Sequence, residues 1–235
     1  MKAAIMQPYL FPYIGYFQLI NAVDVFVVYD DVNYIKKGYI NRNSILLGES
    51  KFQFTFSIIG ASQNYKICEL NFDFFSDKFL KTIILAYSKA PFFNDVFPII
   101  KRIFYFKDKN VSKFLVNSII EIATYLQIQT KIMISSELQL AKEEKASGRI
   151  ISICKSLGAS NYINAIGGKL LYDVADFNRN DLTLEFLQPG EIQYEQFTNS
   201  FVPWLSIIDV MMFNDVSTIQ KMLNKYTLNQ KYGYY

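Results

Sequence analysis

Ala3-Ala4-Ile5-Met6, then Gln7-Pro8-Tyr9-Leu10-Phe11-Pro12-Tyr13-Ile14-Gly15, then Tyr16-Phe17-Gln18-Leu19-Ile20, and finally Val25-Phe26-Val27-Val28-Tyr29 open the chain. The first is a short apolar run stopped by Gln7-Pro8, as expected of a buried strand meeting a loop. Pro8 and Pro12 stiffen that loop, and Gly15 releases the chain into a helix from Tyr16 to Ile20. Val25 to Tyr29 is continuously β-branched and aromatic, the pattern of a strand covered on both faces. Strand, loop, helix and strand make a βαβ unit, for which a right-handed crossover is expected.

The rest of the chain extends this α/β plan. Ser44 to Leu47 and Lys51 to Ile59 read as two strands joined at Gly48-Glu49-Ser50, a hairpin. Lys66 to Phe72 reads as another strand. Apolar residues at three- and four-residue spacing predict helices near 75–88, 92–105 and 111–126, the last capped by Asn110. Thr130 to Ile134, Asn161 to Ile166 and Leu182 to Leu187 read as strands. The charged run Glu143 to Ser147 leads into an amphipathic helix over Arg149 to Lys155 that Gly158 stops. Trp204 to Phe213 and Val216 to Leu223 read as closing helices, and the polar tail after Thr227 is expected to fray. The expected fold is one α/β domain over 1–235 with a βαβ opening, a mostly parallel sheet and a hairpin. Residues 74–126 form a candidate helical insertion or lid.

Composition narrows the function. Of 235 residues, 51% are hydrophobic and 19% charged, enough apolar material for a sizeable core. A formal charge of +3 gives no basic stripe for nucleic acid, so no nucleic-acid partner is expected. The chain has no histidine, which removes the Ser-His-Asp triad, histidine zinc sites and the commonest general base. Cys68 and Cys154 show no metal-ligand spacing; reduced, buried thiols are expected, and no metal site. The N-terminal apolar run is too short for a signal peptide, and none reaches the roughly 20 residues that span a bilayer. A cytoplasmic protein without a membrane span is expected.

In open α/β sheets ligands bind outside the carboxyl ends of strands. Gln7 to Ile14 and Asp30 to Asn43 are the loops at two such ends. In the first, Gln7, Tyr9 and Tyr16 are candidate binding residues. In the second, Asn33, Tyr34, Lys36, Lys37, Asn41, Arg42 and Asn43 supply amides, cations and an aromatic ring suited to phosphate or sugar hydroxyls. Without histidine a carboxylate is the natural general base, so Asp30 and Asp31 are the catalytic candidates. Asp30 is also expected to pair with Arg42 and fix the loop. Gly167-Gly168 reads as a tight turn where backbone approaches backbone or ligand. Trp204 reads as a structural anchor before a buried helix, and Asp209, among apolar neighbours, needs a partner such as Arg42 or Lys37.

The opening is similar to nucleotidylyltransferase-like α/β domains, but their His-x-x-His or His-x-Gly-His signature is absent and Tyr16 stands in its place. More specifically, Gln7-Pro8-Tyr9-Leu10-Phe11-Pro12-Tyr13-Ile14-Gly15-Tyr16-Phe17, the run Asp30 to Lys37, and Asn41-Arg42-Asn43 resemble the WbqC-like protein family. So do Tyr87 to Phe93, Ile153-Cys154-Lys155 with Gly158, Tyr162-Ile163-Asn164, and Phe201 to Asp209, so the resemblance covers nearly the whole chain. It implies a role in O-antigen and other surface-polysaccharide synthesis. Some members are described as glycine transferases acting on the amino group of a 4-amino-4,6-dideoxy sugar.

The resemblance and the residues together predict aminoacyl or acyl transfer that forms an amide on a nucleotide-linked amino sugar, a small-molecule partner. In that reading Asp30 or Asp31 deprotonates the amine, Arg42 and Lys37 hold diphosphate, and Tyr9 and Tyr34 stack on base or sugar. Two alternatives stand beside it: an ATP-dependent amide ligase or nucleotidyl transferase, and a non-catalytic binding protein of the polysaccharide assembly system. No cofactor is identified from the sequence.

Overall fold

The apolar runs that open the chain form Lys2–Met6 (β1) and Val25–Val28 (β2), joined through Ile14–Asn21 (α1). The structure, a computed structural model, describes residues 1–73, 76–140 and 147–230. β1 and β2 pair in parallel, from Ala3 beside Val25 to Met6 beside Val28. Their unbroken hydrophobicity has a direct cause, because alternate side chains enter separate cores on opposite faces of the sheet. Ala4, Phe26 and Val28 pack with Phe17 and Ile20 of α1, while Ala3, Ile5, Val25 and Val27 pack with Ile150, Ile153 and Phe177.

Arg42–Leu47 (β3) and Ser50–Thr55 (β4) form the expected hairpin, though its second strand ends at Thr55 and not at Ile59, and Gly48 takes the positive φ of its turn. Ile58–Ile59 (β5) pairs with Asn71–Phe72 (β6). The single strand expected over Lys66 to Phe72 is instead a 3-10 turn at Ile67–Glu69 followed by β6. The Glu69 carboxylate accepts from the Lys66 amide, and the Ile67 and Cys68 amides donate to Val32 and Asp30 carbonyls. That satisfies the local backbone without a strand partner. Ser76–Tyr87 (α2), Phe93–Phe104 (α3) and Val111–Tyr125 (α4) match the three predicted helices, and Asn110 caps α4 by accepting from the Lys113 amide. Their rings reach the opening segment: Phe104 lies 5.9 Å from Phe11 and 5.8 Å from Phe114.

Lys131–Ile134 (β7), Ser147–Leu157 (α5), Asn161–Ala165 (β8), Val174–Asn178 (α6) and Thr183–Pro189 (β9) follow. The part of the charged run at 143–146 lies outside the described residues. Helix α6, absent from the sequence reading, is a single short turn capped by Asp173. Ile207–Phe213 (α7) starts later than expected, because Trp204 has φ +61° and the Ser206 hydroxyl caps the helix by accepting from the Ile208 amide. Val216–Leu223 (α8) leads to Tyr226–Gln230 (β10), where the tail was expected to start fraying after Thr227; the rest of that tail, 231–235, lies outside the described residues. β10 runs antiparallel along β9, from Tyr226 beside Pro189 to Gln230 beside Glu185, so main-chain pairing holds a segment whose side chains are mostly polar.

The sheet order is β10-β9-β8-β1-β2-β7, parallel except at β10. From β1 the chain builds one way to β2 and β7, then returns to the other side for β8 and β9. The order therefore reverses at β1/β8, where a crevice opens outside the carboxyl ends of the strands.

Candidate functional site

The loop from Gln7 to Tyr13 leaves β1 at that crevice, and almost every polar group around it holds its backbone. The Asn43 amide donates to the Leu10 and Phe11 carbonyls at 3.0 and 2.7 Å, and the Ser206 hydroxyl donates to Phe11 at 2.8 Å. The Leu10 amide donates to Tyr39 and the Ile207 amide to Pro12. Phe11 takes a left-handed φ of +44° with its ring fully buried, so packing and these bonds over-determine an unfavourable conformation. The Tyr16 hydroxyl closes the loop on itself by donating to the Gln7 carbonyl at 3.0 Å.

This frame encloses a cavity of about 300 Å³ walled by Tyr9, Tyr13, Tyr16, Tyr39 and Trp204, with Asn43 beside them. Met6 at the end of β1, Ala165 to Gly167 at the end of β8, and Leu187 and Pro189 of β9 complete it, so it lies at the switch point. A second recess of about 640 Å³, lined by Glu191 to Tyr194, Phe201 and Leu205 among others, shares Tyr13, Pro189 and Trp204 with the first. The Tyr13 and Trp204 rings, 5.4 Å apart, stand between the two. Burial raises the Tyr9 phenol, pushes Tyr13 up to about 12 and holds Tyr16 well above the usual range. At neutral pH these groups are protonated phenols that offer ring faces, while the Tyr16 proton is already donated to Gln7.

Gly15 has a steric duty here. A Cβ at this position would lie 2.0 Å from the Tyr13 hydroxyl. Gly15→Ala is expected to swing the Tyr13 ring away from Trp204 while changing stability by only about 1 kcal/mol, since a partly exposed side chain yields easily. Trp204 is the chain's sole tryptophan, so its emission spectrum reports the change. An unaltered spectrum would contradict the packing of Tyr13 over Gly15.

The carboxylates lie further along the same edge, where β2 meets β7. Asp30 is 1% exposed and accepts several hydrogen bonds. Its Oδ1 accepts from the Ser136 amide at 2.9 Å with the Ser135 hydroxyl 3.1 Å away, and its Oδ2 accepts from the Ser112 and Ser136 hydroxyls at 2.6 and 2.9 Å. Asp31 Oδ2 accepts from Arg149 at 2.8 Å in an ion pair whose side chains are 9% and 5% exposed, and its Oδ1 takes the shorter contact to Ser135. A carboxylate offers about four acceptor positions. With the one Ser135 proton donated to Asp31, Asp30 has filled three of them and Asp31 two.

Other expected residues serve the frame. Arg42 does not pair with Asp30; its Nε donates to the Gly38 carbonyl at 3.1 Å and its terminal nitrogen to Lys37, which closes the turn. Tyr34 is buried and donates to the Asn41 side chain, whose amide donates to Phe56, so its ring has no free face for a ligand. Asn33 bridges to Lys66 through backbone, and the side chains of Asn33, Lys36 and Lys37 face solvent. Asp209 is partnered by neither Arg42 nor Lys37. It is fully buried and accepts from Tyr87, Tyr194 and Gln196, each at 2.7 Å. Burial raises its pKa against those three bonds.

Of the expected binding residues the cavity thus brings together Tyr9, Tyr16 and Asn43, and Gln7 through its carbonyl. It adds Tyr13, Tyr39, the turn at Gly167 and above all Trp204, which is 67% exposed at the mouth and no buried anchor. A lone tryptophan after proline was the available signal for it. Nothing in local spacing singled out Ser112, Ser135 or Arg149. Cys154 is buried and Cys68 partly so, both free, and burial pushes the Cys154 thiol up to about 12. Among the described residues no group of three or more Cys, Asp or Glu could hold a metal ion, and no helix is long and apolar enough to cross a membrane.

Comparison with known proteins matches residues 7–221 to the WbqC-like protein family. A relative, "Uncharacterized protein Rv1507c" of Mycobacterium tuberculosis (strain ATCC 25618 / H37Rv), is 27% identical over 219 residues, covering 91% of this chain and 93% of its own. No solved structure matches.

Proposed function

This chain belongs to the WbqC-like protein family, and from that membership and the site's geometry we propose a transferase of surface-polysaccharide synthesis that forms an amide on a nucleotide-linked amino sugar. The observation that carries this reading is the aromatic cavity at the sheet's switch point with a second recess beside it. Tyrosine and tryptophan faces suit the C–H face of a pyranose or a nucleobase. Two recesses divided by Tyr13 and Trp204 suit a reaction with two substrates. The reaction class itself comes from the family resemblance.

In this reading the sugar amine attacks the carbonyl carbon of an activated aminoacyl or acyl donor. The C–N bond forms, the bond from that carbon to the donor's leaving group breaks with its electron pair, and the nitrogen loses a proton to a base. Of the two carboxylates Asp31 is the better base, because Asp30 is the more deeply buried and accepts one hydrogen bond more. Asp30 then positions Asp31 through Ser135, and the exposed Lys36 and Lys37, just before the lining Tyr39, hold the diphosphate.

The test combines binding with turnover. A nucleotide-linked 4-amino-4,6-dideoxy sugar should shift Trp204 emission, and with activated glycine or a simple acyl donor it should gain one amide by mass spectrometry. Asp31→Asn should lower the rate at least about 100-fold while binding persists. Stabilisation by ATP but not by the sugar nucleotide would favour an amide ligase instead. Binding without any amide product from any donor would leave a non-catalytic role.

A further inference from the structure

Asn164, next to last in β8, is only 5% exposed, yet its amide nitrogen donates to nothing among the described residues. Its oxygen accepts from the Ala165 amide at 2.8 Å. The nitrogen is not sealed in, since the fully buried side-chain atoms without a partner there belong to Gln18 and Ser118. A Cβ on Gly168 would lie 2.4 Å from that nitrogen, so glycine at 168 leaves it room. Buried amides are nearly always hydrogen-bonded, and a free donor at this depth, open to solvent, is one that a ligand completes. Gln7, one residue past β1, is half-buried, and its side chain likewise makes no hydrogen bond among the described residues. β1 and β8 are neighbours, with Ala3 beside Tyr162, and Ala3, Ile5 and Tyr162 all pack into the core beneath α5 and α6. By the two-residue period of a strand, Gln7 and Asn164 belong to that same face. Tyr29, one residue past β2, packs there too, and its phenol, which burial pushes up to about 12, is within electrostatic reach of Asp31, Arg149 and Tyr172. Asn164, Gln7, Tyr29 and the Asp31–Arg149 pair thus follow one another across the carboxyl ends of β8, β1 and β2. Ile166 packs on this core and also lines the aromatic cavity, so the row and the cavity adjoin.

We infer that this row is a subsite for the hydroxyl groups of a sugar ring, held by Asn164 and Gln7 with the ring's amine toward Asp31. A side-chain amide both donates and accepts, as a hydroxyl does. Phosphate only accepts, and here it would face the Asp31 carboxylate. The subsite rests on the amino-sugar reading given above and adds to it the place of the sugar, which leaves the aromatic cavity to the nucleobase.

The test is calorimetric titration of the full chain with uridine and thymidine diphosphates and with their 4-amino-4,6-dideoxy sugar conjugates, beside an assay for amide product. The wild type should bind a conjugate at least about tenfold more tightly than its diphosphate. Gln7→Ala removes a side chain that bonds to nothing in the protein, so its Tm should match the wild type. It should bring the conjugate down to the affinity of the diphosphate and leave the diphosphate unchanged. Asn164→Asp keeps the acceptor for the Ala165 amide and loses the free donors, and it should do the same, as should Gly168→Ala by crowding the amide. A conjugate that binds no better than its diphosphate, variants that bind the conjugate like the wild type, or equal losses for both ligands overturn the subsite. Amide formation unaffected by the variants also overturns it while the transferase reading stands. Variants that lose the conjugate, with no amide product from any donor in the wild type, support the subsite and overturn the transferase reading instead.

Discussion

Arg149→Ala is expected to destabilise the protein by about 3–5 kcal/mol, one of the two largest effects of any single change considered. The loss is larger than a surface ion pair would give, because Arg149 and Asp31 are 5% and 9% exposed and their contact is 2.8 Å. Exposed pairs are screened and contribute about 0–1 kcal/mol. Here removing the guanidinium leaves the Asp31 carboxylate buried with Ser135 but without its cation. The pair also ties the first turn of α5 to the carboxyl end of β2, so the edge that presents Asp30 and Asp31 loosens with it. For a chain of this size the change should lower Tm by about 6–20 °C. The double variant Asp31→Asn/Arg149→Met, which removes both charges, should recover part of the loss. If Arg149→Ala melts with the wild type, the ion pair contributes no more than a surface one.

Asp209→Ala is the second, with an expected cost of about 3 kcal/mol or more. The Tyr87 and Tyr194 hydroxyls and the Gln196 amide all converge on this carboxylate. Removing it takes away the acceptor on which three donors converge, at about 1–3 kcal/mol for each buried group left unsatisfied. The effect reaches the site, because Gln196 also clamps the Val202 backbone in both directions just before Trp204. Ligand-induced changes in Trp204 emission should therefore weaken too. Asp209 gives a pH signature of known sign. Burial raises its pKa in the folded state, so between the ordinary carboxylate value and the raised one the native protein holds a proton that the unfolded chain has released. Stability then falls as pH rises through that window. Denaturant titrations across pH should show this slope in the wild type and lose it in Asp209→Asn. A wild-type curve that rises there would mean that the hydrogen bonds outweigh burial.

The opening βαβ unit was legible because its side-chain pattern follows from local geometry. A strand with cores on both faces must be apolar throughout, and Ala3 to Met6 and Val25 to Val28 are nearly so. The hairpin announced itself at Gly48, and α4 at Asn110. Lys66 to Phe72 misled because alternation alone does not reveal that Glu69 returns to cap Lys66. The tail misled for the opposite reason: β10 is held by main-chain bonds to β9, which side-chain composition does not report. At the site, the loop Gln7 to Tyr16 was found by its place after a strand, whereas Trp204 was misassigned because exposure is not a property of the residue alone.

By itself the sequence determined the α/β class, the strands and helices of the opening, and the loops that meet at the candidate cavity. Periodicity and capping act over a few residues and survive in one dimension. Only the tertiary structure decided which partners the charged groups take. Asp30 meets Ser112 across 82 residues, Asp31 meets Arg149 across 118 and Asp209 meets Tyr87 across 122. A buried carboxylate must be satisfied by whatever donors folding brings within hydrogen-bond distance. Those distances are set by sheet order and helix packing, which turned two expected cation partners into hydroxyls and amides and made a lone tryptophan the door of the cavity.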